Sequence, residues 1–288
     1  MALTLWGLLA LSACTAPVEA PDPELALVCL PSTFALKKLD LAEASGAAWV
    51  QSAAGEGWLV VADNGNGGEA VLVGPGGEIF AELKLPLDAA AGDDIEGLAG
   101  WGGGRLVGLT SGGFLRQWSL EQAAPQLVQL AKPISADPQW VCQPQETNCG
   151  PNWEGLCLDP APEAGGCAGF ALSKALGELV CLREDLGGLV LDDSVRIKVS
   201  KKKSLSGCDY GLEAPHPLVV VGNEASDNAF WQILGHRTPQ SAQVEPMEIG
   251  GTLNQEAVAF GKGGLLLSFG DEEEVTGEGS AIAAFFCQ

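Results

Sequence analysis

Basic residues are scarce in this chain. Its 288 residues include 15 Lys plus Arg against 37 Asp plus Glu, so the formal net charge is −22. A charge of this sign repels phosphate backbones and attracts cations. We therefore expect no nucleic-acid partner, and we expect a divalent cation to be one of the partners. The one run of basic residues, at 201–203, is interpreted as a solvated loop.

Several catalytic signatures are also missing. The sequence has no GxSxG motif and no CxxC pair, which argues against a nucleophile elbow and against a thiolate zinc site. Its two histidines, His216 and His236, stand in turn-like contexts, and we predict that both lie at the surface. Long helical hydrophobic periods are absent, whereas short apolar runs alternate with turns that draw on 39 Gly and 17 Pro. The composition predicts an all-β protein.

The first residues carry the signature of an exported protein. Residues 2–11 form an apolar stretch that is shorter than the about 20 residues a membrane-spanning helix needs, so residues 1–13 are interpreted as a signal peptide. No Lys or Arg precedes this stretch. The letters "LSAC" at 11–14 are similar to a bacterial lipobox, and that resemblance implies cleavage before Cys14 and lipid attachment to it. Residues 14–28, rich in Pro and acids, are predicted to tether the body to the cell envelope at the outer membrane.

A repeated unit fills residues 29–288. The starts "SGAAWV", "EGLAGW", "EGLCLD", "SGCDYG" and "EAVAFG" are spaced by 50 to 58 residues, and each precedes further short strands separated by turns. A period near 50 residues with three or four strands per unit is typical of the blades of a β-propeller. We predict a single propeller domain with five blades. Whether residues 131–151 contain a sixth blade stays open. We expect it to be a monomer.

The two ends of the chain suggest how such a ring closes. The last unit has three strands, and the run "TFALKKLDL" at 33–41 is a strand without a unit of its own. We predict that this N-terminal strand completes the last blade, which would remove an open sheet edge. Without Cys14, eight cysteines remain, an even number that predicts four disulfides in an exported chain. We expect Cys29 to pair with Cys287 and Cys142 with Cys149. The pairing of the other four, Cys157, Cys167, Cys181 and Cys208, stays open, although Cys157 and Cys181 could lie on nearby strands of one blade.

The repeated motif predicts a site at the propeller axis. The innermost strand of each blade lines the axis, so the motif would place one side chain per blade in a ring: Ser45, Glu96, Glu154, Ser206 and Glu256. Carboxylates that converge repel one another unless a cation lies among them, and calcium is the first candidate for oxygen ligands. The second strands add further acids, and the predicted metal ligands are Glu96, Glu154, Glu256, Asp63, Glu224 and Asp271.

Two alternatives to the metal site remain open. The glutamates could instead cap strand ends by bonding backbone amides. Lys174, which occupies an acidic position of the repeat, could neutralise the ring or hold an anionic group of a ligand. We predict Lys174, Ser45 and Ser206 as ligand-binding residues.

With "VVADN", "ALSK" and "VVGNE" following these units, the chain resembles the SdiA-regulated family of exported bacterial propellers and, more distantly, the phytase-like propellers. The resemblance implies a propeller with metal-binding capacity and no firmly established reaction. The sequence departs from the phytase pattern because it has one Tyr and few basic residues. We predict a lipoprotein that binds calcium and a small or peptide ligand at the channel mouth. The alternatives are a metal-dependent phosphoesterase and a structural envelope scaffold.

Overall fold

The computed structural model describes residues 26–41, 43–200, 204–222, 229–252, 254–271 and 279–288. These residues form five antiparallel sheets that follow one another along the chain. Their only helical elements are two single 3-10 turns, Pro239–Ser241 and Lys262–Gly264. No helix of the described residues has the length and apolarity needed to cross a membrane.

Each sheet is one blade. The first blade contains β3 (Ala44–Ser52), β4 (Gly55–Ala62), β5 (Glu69–Val73) and β6 (Ile79–Lys84). The second contains β7 (Ile95–Gly100), β8 (Arg105–Thr110), β9 (Phe114–Ser119) and β10 (Gln126–Pro133). The third contains β11 (Trp153–Leu158), β12 (Gly169–Ser173), β13 (Glu178–Asp185) and β14 (Gly188–Lys198). The fourth contains β15 (Leu205–Tyr210), β16 (Leu218–Gly222), β17 (Ala229–Leu234) and β18 (Gln243–Met247). The fifth contains β19 (Gln255–Phe260), β20 (Leu265–Asp271) and β21 (Ser280–Cys287), completed by β1 (Cys29–Pro31) and β2 (Lys38–Leu39).

The blades surround one axis. The first strand of each blade contacts the first strand of the next, and β19 contacts β3, so the described sheets close into a ring. Five hydrophobic clusters lie between neighbouring blades; in one of them Val60 of the first blade packs with Ala259 of the fifth. Inner strands such as β11 are buried along their whole length, whereas the outer strand β10 alternates between exposed and half-buried residues. The five-bladed all-β propeller is therefore confirmed, and residues 131–151 contain the end of β10 but no further strand.

The N-terminal segment closes the ring, as predicted, but with different residues. β1 pairs with β21, with Cys29 opposite Cys287, and β2 pairs with the other end of the same strand. Of the predicted strand at 33–41, only Lys38 and Leu39 pair, so the prediction of one long strand is wrong. Phe34 instead turns into the core and packs edge to face against Trp58, at 5.7 Å between ring centroids.

Four disulfides join the chain. The predicted bonds Cys29–Cys287 and Cys142–Cys149 are both present. The other two bonds are Cys157–Cys208, which joins the inner strands of the third and fourth blades, and Cys167–Cys181 within the third. Cys157 and Cys181 do lie on nearby strands of one blade, β11 and β13, as considered, but each is bonded to another cysteine.

The predicted segments before the propeller remain untested. Residues 1–13, the lipidation residue Cys14 and the tether up to residue 25 lie outside the described residues. The signal peptide, the lipid anchor and the outer-membrane location therefore stay predictions.

Candidate functional site

Every blade carries a β-bulge at the same position of its first strand. In the second blade, for example, Ile95 pairs with Thr110 and Gly97 with Leu109, so Glu96 has no partner on β8. The same displacement occurs in each of the other four pairings of first and second strands. A bulge redirects the extra side chain and is common beside functional sites. The five bulged residues are the five predicted ring residues: Ser45, Glu96, Glu154, Ser206 and Glu256.

Small residues allow the inner strands to approach closely at the axis. A Cβ atom on Gly97 would lie 2.4 Å from the backbone nitrogen of Leu156 on the neighbouring inner strand. The space left between the inner strands is a cavity of about 10 Å³, enough for about one water molecule. The axis is therefore filled rather than open, and a ligand can bind only at its ends.

One end of the axis carries a polar cavity of about 290 Å³. Four of the five bulged residues line it, all except Ser206, and so do Asp63 and Lys174. The remaining lining residues are polar or small: Glu43, Ala44, Asn148 and Asn254. We call this cavity the acidic mouth.

Three carboxylates converge beside the acidic mouth, and two of them, Asp63 and Glu96, line it. Asp63, Asp94 and Glu96 each offer one ligand oxygen, and these oxygens lie within 4.8 Å of one another. Asp94 and Glu96 are buried, while Asp63 is half-buried. The Ser111 hydroxyl donates a hydrogen bond to Asp94 Oδ2 and itself accepts one from the backbone N–H of Asn148 at 3.1 Å. The cluster is thus held by the first and second blades and by the loop that follows them.

Burial and mutual repulsion perturb these acids. Burial raises the pKa of Asp94 to about 6, and the charge of Asp63 adds to the rise although the Ser111 hydrogen bond opposes it. Burial, with the charges of Glu154 and Asp63, raises the pKa of Glu96 well above its usual range. A positive charge bound among these carboxylates would therefore stabilise their ionised forms.

Glu154 is positioned differently from Glu96. Its Oε2 lies 3.2 Å from the ammonium of Lys174, and its Oε1 accepts a hydrogen bond from Asn152 Nδ2 at 2.8 Å. Burial raises the pKa of Glu154 to about 7, with Lys174 opposing the rise. Burial alone would lower the pKa of Lys174, but Glu154 and Glu256 outweigh it and the pKa is raised. The ammonium stays charged, and the side chain is partly exposed to the acidic mouth.

The two serines of the ring connect blades. Ser45 Oγ donates to the carbonyl of Ile95 at 2.6 Å, and Ser206 Oγ donates to the carbonyl of Gln255 at 2.5 Å. In both cases the acceptor directly precedes the bulged glutamate of the next blade. We interpret these serines as fixing the bulges next to them, a role that differs from the predicted ligand contact.

The structure brings together only part of the predicted metal set. Asp63 and Glu96 belong to the convergent cluster, Glu256 lines the same cavity, and Glu154 pairs with Lys174. Glu224 lies outside the described residues, and for Asp271 the structure describes the backbone at the end of β20 but not the side chain.

Two polar residues were missed from the sequence. Asp94 and Asn152 stand two positions before Glu96 and Glu154, in the first position of the repeated motifs "DIEGLA" and "NWEGLC". That shared position was a usable signal for both. The prediction for His236 was wrong: its ring is buried against Tyr210, at 5.0 Å between ring centroids.

The fold has distant structural neighbours. No protein-family model and no curated protein sequence matches the chain. The PQQ-bound aldose sugar dehydrogenase of Streptomyces coelicolor superposes with a TM-score of 0.56 at 15% identity, covering 93% of this chain and 100% of that chain. A putative glucose dehydrogenase of Thermus thermophilus covers 90% of this chain and 100% of its own at 14% identity, with a TM-score of 0.45. A Dyadobacter fermentans protein of unknown function covers 84% of this chain and 75% of its own at 9% identity and a TM-score of 0.46. The first of these similarities supports the propeller fold and nothing finer.

Proposed function

We propose that this protein is a lipid-anchored propeller of the bacterial cell envelope that binds a divalent cation at the acidic mouth. Calcium is the first candidate for this cation. The observation that carries the proposal is the convergence of Asp63, Asp94 and Glu96, whose ligand oxygens lie within 4.8 Å of one another. Calcium takes six to eight oxygen ligands at about 2.3–2.6 Å, and water can complete a set that begins with three carboxylates. A bound cation would relieve the repulsion among these buried acids.

Lys174 indicates the kind of ligand that would accompany the cation. Its ammonium lines the same cavity as Asp63 and Glu96 of the carboxylate cluster, and the cavity wall is almost entirely polar. A small molecule or a peptide with an anionic group could contact the cation on one side and Lys174 on the other. A cavity of about 290 Å³ accommodates such a group rather than a folded surface. The ligand would enter from the envelope space in which the proposed lipid anchor at Cys14 holds the propeller.

The cation is tested by isothermal titration calorimetry with calcium chloride, followed by thermal unfolding. We expect calcium to bind the wild-type protein and to raise its melting temperature. Calcium at a hundred times its dissociation constant should stabilise the protein by about 2.7 kcal/mol.

Glu96→Gln is the informative variant because it removes one charged ligand while keeping the side-chain size. We expect it to weaken calcium binding by about tenfold or more. Glu82→Gln, on the exposed face of β6, removes an equal charge far from the cluster and should bind as the wild type does. Absence of calcium binding to the folded wild-type protein, or equal binding by both variants, would disprove the cation site.

A metal-dependent phosphoesterase is the second candidate. It is favoured by one observation: the Lys174 ammonium lies 3.2 Å from Glu154 within a cavity that Asp63 and Glu96 also line. A cation can polarise a phosphoryl oxygen while an ammonium binds another. Calcium-dependent hydrolysis of a generic phosphate ester, lost in both Lys174→Ala and Glu154→Gln, would support this candidate. Activity indifferent to these changes would eliminate it, and variants that alter stability alone would favour an envelope scaffold.

A further inference from the structure

A second cavity lies at the end of the axis opposite the acidic mouth. Its volume is about 510 Å³, and the far ends of the inner strands line it with Trp49 of β3, Gly100 of β7 and Leu158 of β11. The cavity between the inner strands is only about 10 Å³, so no small molecule can pass from one end to the other. We call the second cavity the tryptophan mouth. Its volume falls within the range of about 300–1,000 Å³ that is usual for small-molecule sites.

Two indole rings shape this mouth, and both are held in place. Trp49 donates a hydrogen bond through Nε1 to Glu56 Oε1 at 3.2 Å, and its ring packs at 85° against Trp58 with 4.6 Å between centroids. Trp101 begins the turn after β7 and is half-buried, with the guanidinium carbon of Arg105 5.3 Å from its ring centroid. Rings that are already fixed lose little conformational entropy when a ligand packs on them. The mouth therefore presents preorganised aromatic surface.

The charges around the tryptophan mouth balance. Glu56 lies 2.7 Å from the Lys262 ammonium, and Asp159 lies 3.1 Å from the Arg237 guanidinium. The lining also contains one further acid, Glu184, and one base, Arg105. In a chain with a net charge of −22, such a balance is local and favours a ligand without net charge.

The lining is not purely apolar. Gln51, Arg105 and Glu184 also face this cavity, beside Leu158, Leu189 and Leu212. A hydrocarbon ligand would bury these polar groups without hydrogen bonds, which is costly. A neutral sugar has apolar C–H faces that can pack on indole rings and hydroxyl groups that can pair with planar polar side chains. We propose that the tryptophan mouth is a binding site for a neutral carbohydrate, independent of the cation site.

Access to the mouth is open at the turn that follows Trp101. A Cβ atom placed at Gly102 or Gly103 would meet nothing within 4 Å. Both residues have positive φ, 53° and 57°, a conformation that glycine adopts without strain. The turn therefore leaves the cavity rim bare beside the indole of Trp101.

The site is tested by saturation-transfer difference NMR on the purified protein. The probes are glucose, galactose, N-acetylglucosamine, maltose and cellobiose, with glucuronate as a charged comparison. We expect transfer to the ring C–H protons of at least one neutral sugar, with stronger binding than glucuronate. Trp101→Ala should weaken that binding by about tenfold.

Trp231→Ala is the matched control because Trp231 is also half-buried but lies on β17, away from both mouths. It should bind sugar as the wild type does, and Trp101→Ala should still bind calcium as the wild type does. Arg105→Ala, a change on the exposed rim, decides the question if Trp101→Ala does not fold, and it should also weaken sugar binding. Absence of transfer to every neutral sugar, preference for glucuronate, or equal loss in Trp231→Ala would overturn the proposal.

Discussion

At the scale of single residues, identical amino acids at one repeated position have different surroundings. Glu96 lies with Asp63 and Asp94, whereas both oxygens of Glu154 are occupied by Lys174 and Asn152. The difference arises from the position directly after the second strand of a blade, which is Asp63 after β4 and Lys174 after β12. A repeat therefore indicates where side chains lie, and their neighbours decide what they can bind.

Gly97 is the residue whose size matters most at the axis. We expect Gly97→Ala to lower the free energy of unfolding by roughly 2–4 kcal/mol, because its Cβ would lie 2.4 Å from the Leu156 nitrogen and backbone there cannot yield cheaply. Urea denaturation measures the loss. Gly250→Ala is the control, since its Cβ would meet nothing within 4 Å. Similar stability of the two variants would contradict the close approach of β7 and β11.

Asp209 predicts a pH dependence of stability. It is buried on β15 and accepts a hydrogen bond from the Phe260 amide at 2.8 Å. Burial raises its pKa from 3.8 to about 7, although amides of Phe260 and Tyr210 oppose the rise. The native state therefore binds the proton more tightly than the unfolded chain. Protonation of Asp209 therefore stabilises the folded state. This contribution is fully present below about pH 4 and is lost as the pH rises through about 7.

Asp209→Asn removes this charge and keeps a hydrogen-bond acceptor. Relative to the wild type, we expect the variant to gain roughly 2–4 kcal/mol of stability between pH 4 and pH 8. Denaturation curves measured at several pH values test this. Glu82→Gln, an exposed substitution, should show no comparable gain. If the stabilities of Asp209→Asn and wild type change in parallel with pH, folding does not raise the pKa of this carboxyl.

At the scale of elements, the closure of the ring depends on short N-terminal strands and one disulfide. β1 and β2 together pair five residues with β21, and Cys29–Cys287 links the same strands across 258 positions of sequence. Cys142–Cys149 spans a separation of only 7. In the chain-entropy view, the longer loop constrains the unfolded chain more.

The two disulfides are therefore expected to differ in their effect on stability. Replacing Cys29 and Cys287 by Ser should cost roughly 5 kcal/mol, and replacing Cys142 and Cys149 by Ser roughly 2.5 kcal/mol. Chemical denaturation of the two double variants under oxidising conditions provides the measurement. A larger loss from the Cys142 and Cys149 pair would show that loop closure in the unfolded chain does not set the order.

At the scale of the whole molecule, the ring removes the free edge that the last blade would otherwise expose. Deleting residues 1–41 takes away β1 and β2 and leaves one edge of β21 unpaired. An open strand edge promotes pairing between molecules. We expect the truncated protein to form dimers or larger species in size-exclusion chromatography with light scattering. Deletion of residues 1–25 alone, which retains both strands, is the control and should remain monomeric.

Much of this architecture could be predicted from local sequence. The period near 50 residues reports one blade per repeat, and ring closure follows because the last unit lacks a strand that the N-terminus can supply. The bounds of that closing strand could not be read in the same way. The sequence around Phe34 has the apolar character of a strand. In the structure, however, the Phe34 side chain packs into the core against Trp58, and strand pairing begins again only at Lys38.

The sequence by itself determined the all-β class, five repeats, the closing disulfide and the ring positions of Glu96, Glu154 and Glu256. Each of these follows from the composition of the chain or from the spacing of its repeats. The tertiary structure decided which acids meet, since Asp94 joins Asp63 and Glu96 only through a bulge in β7 and the approach of the first two blades. It likewise decided that Cys157 bonds Cys208, and that Trp49 and Trp101 border one cavity. These contacts join distant segments, so their physical cause is the packing of neighbouring blades.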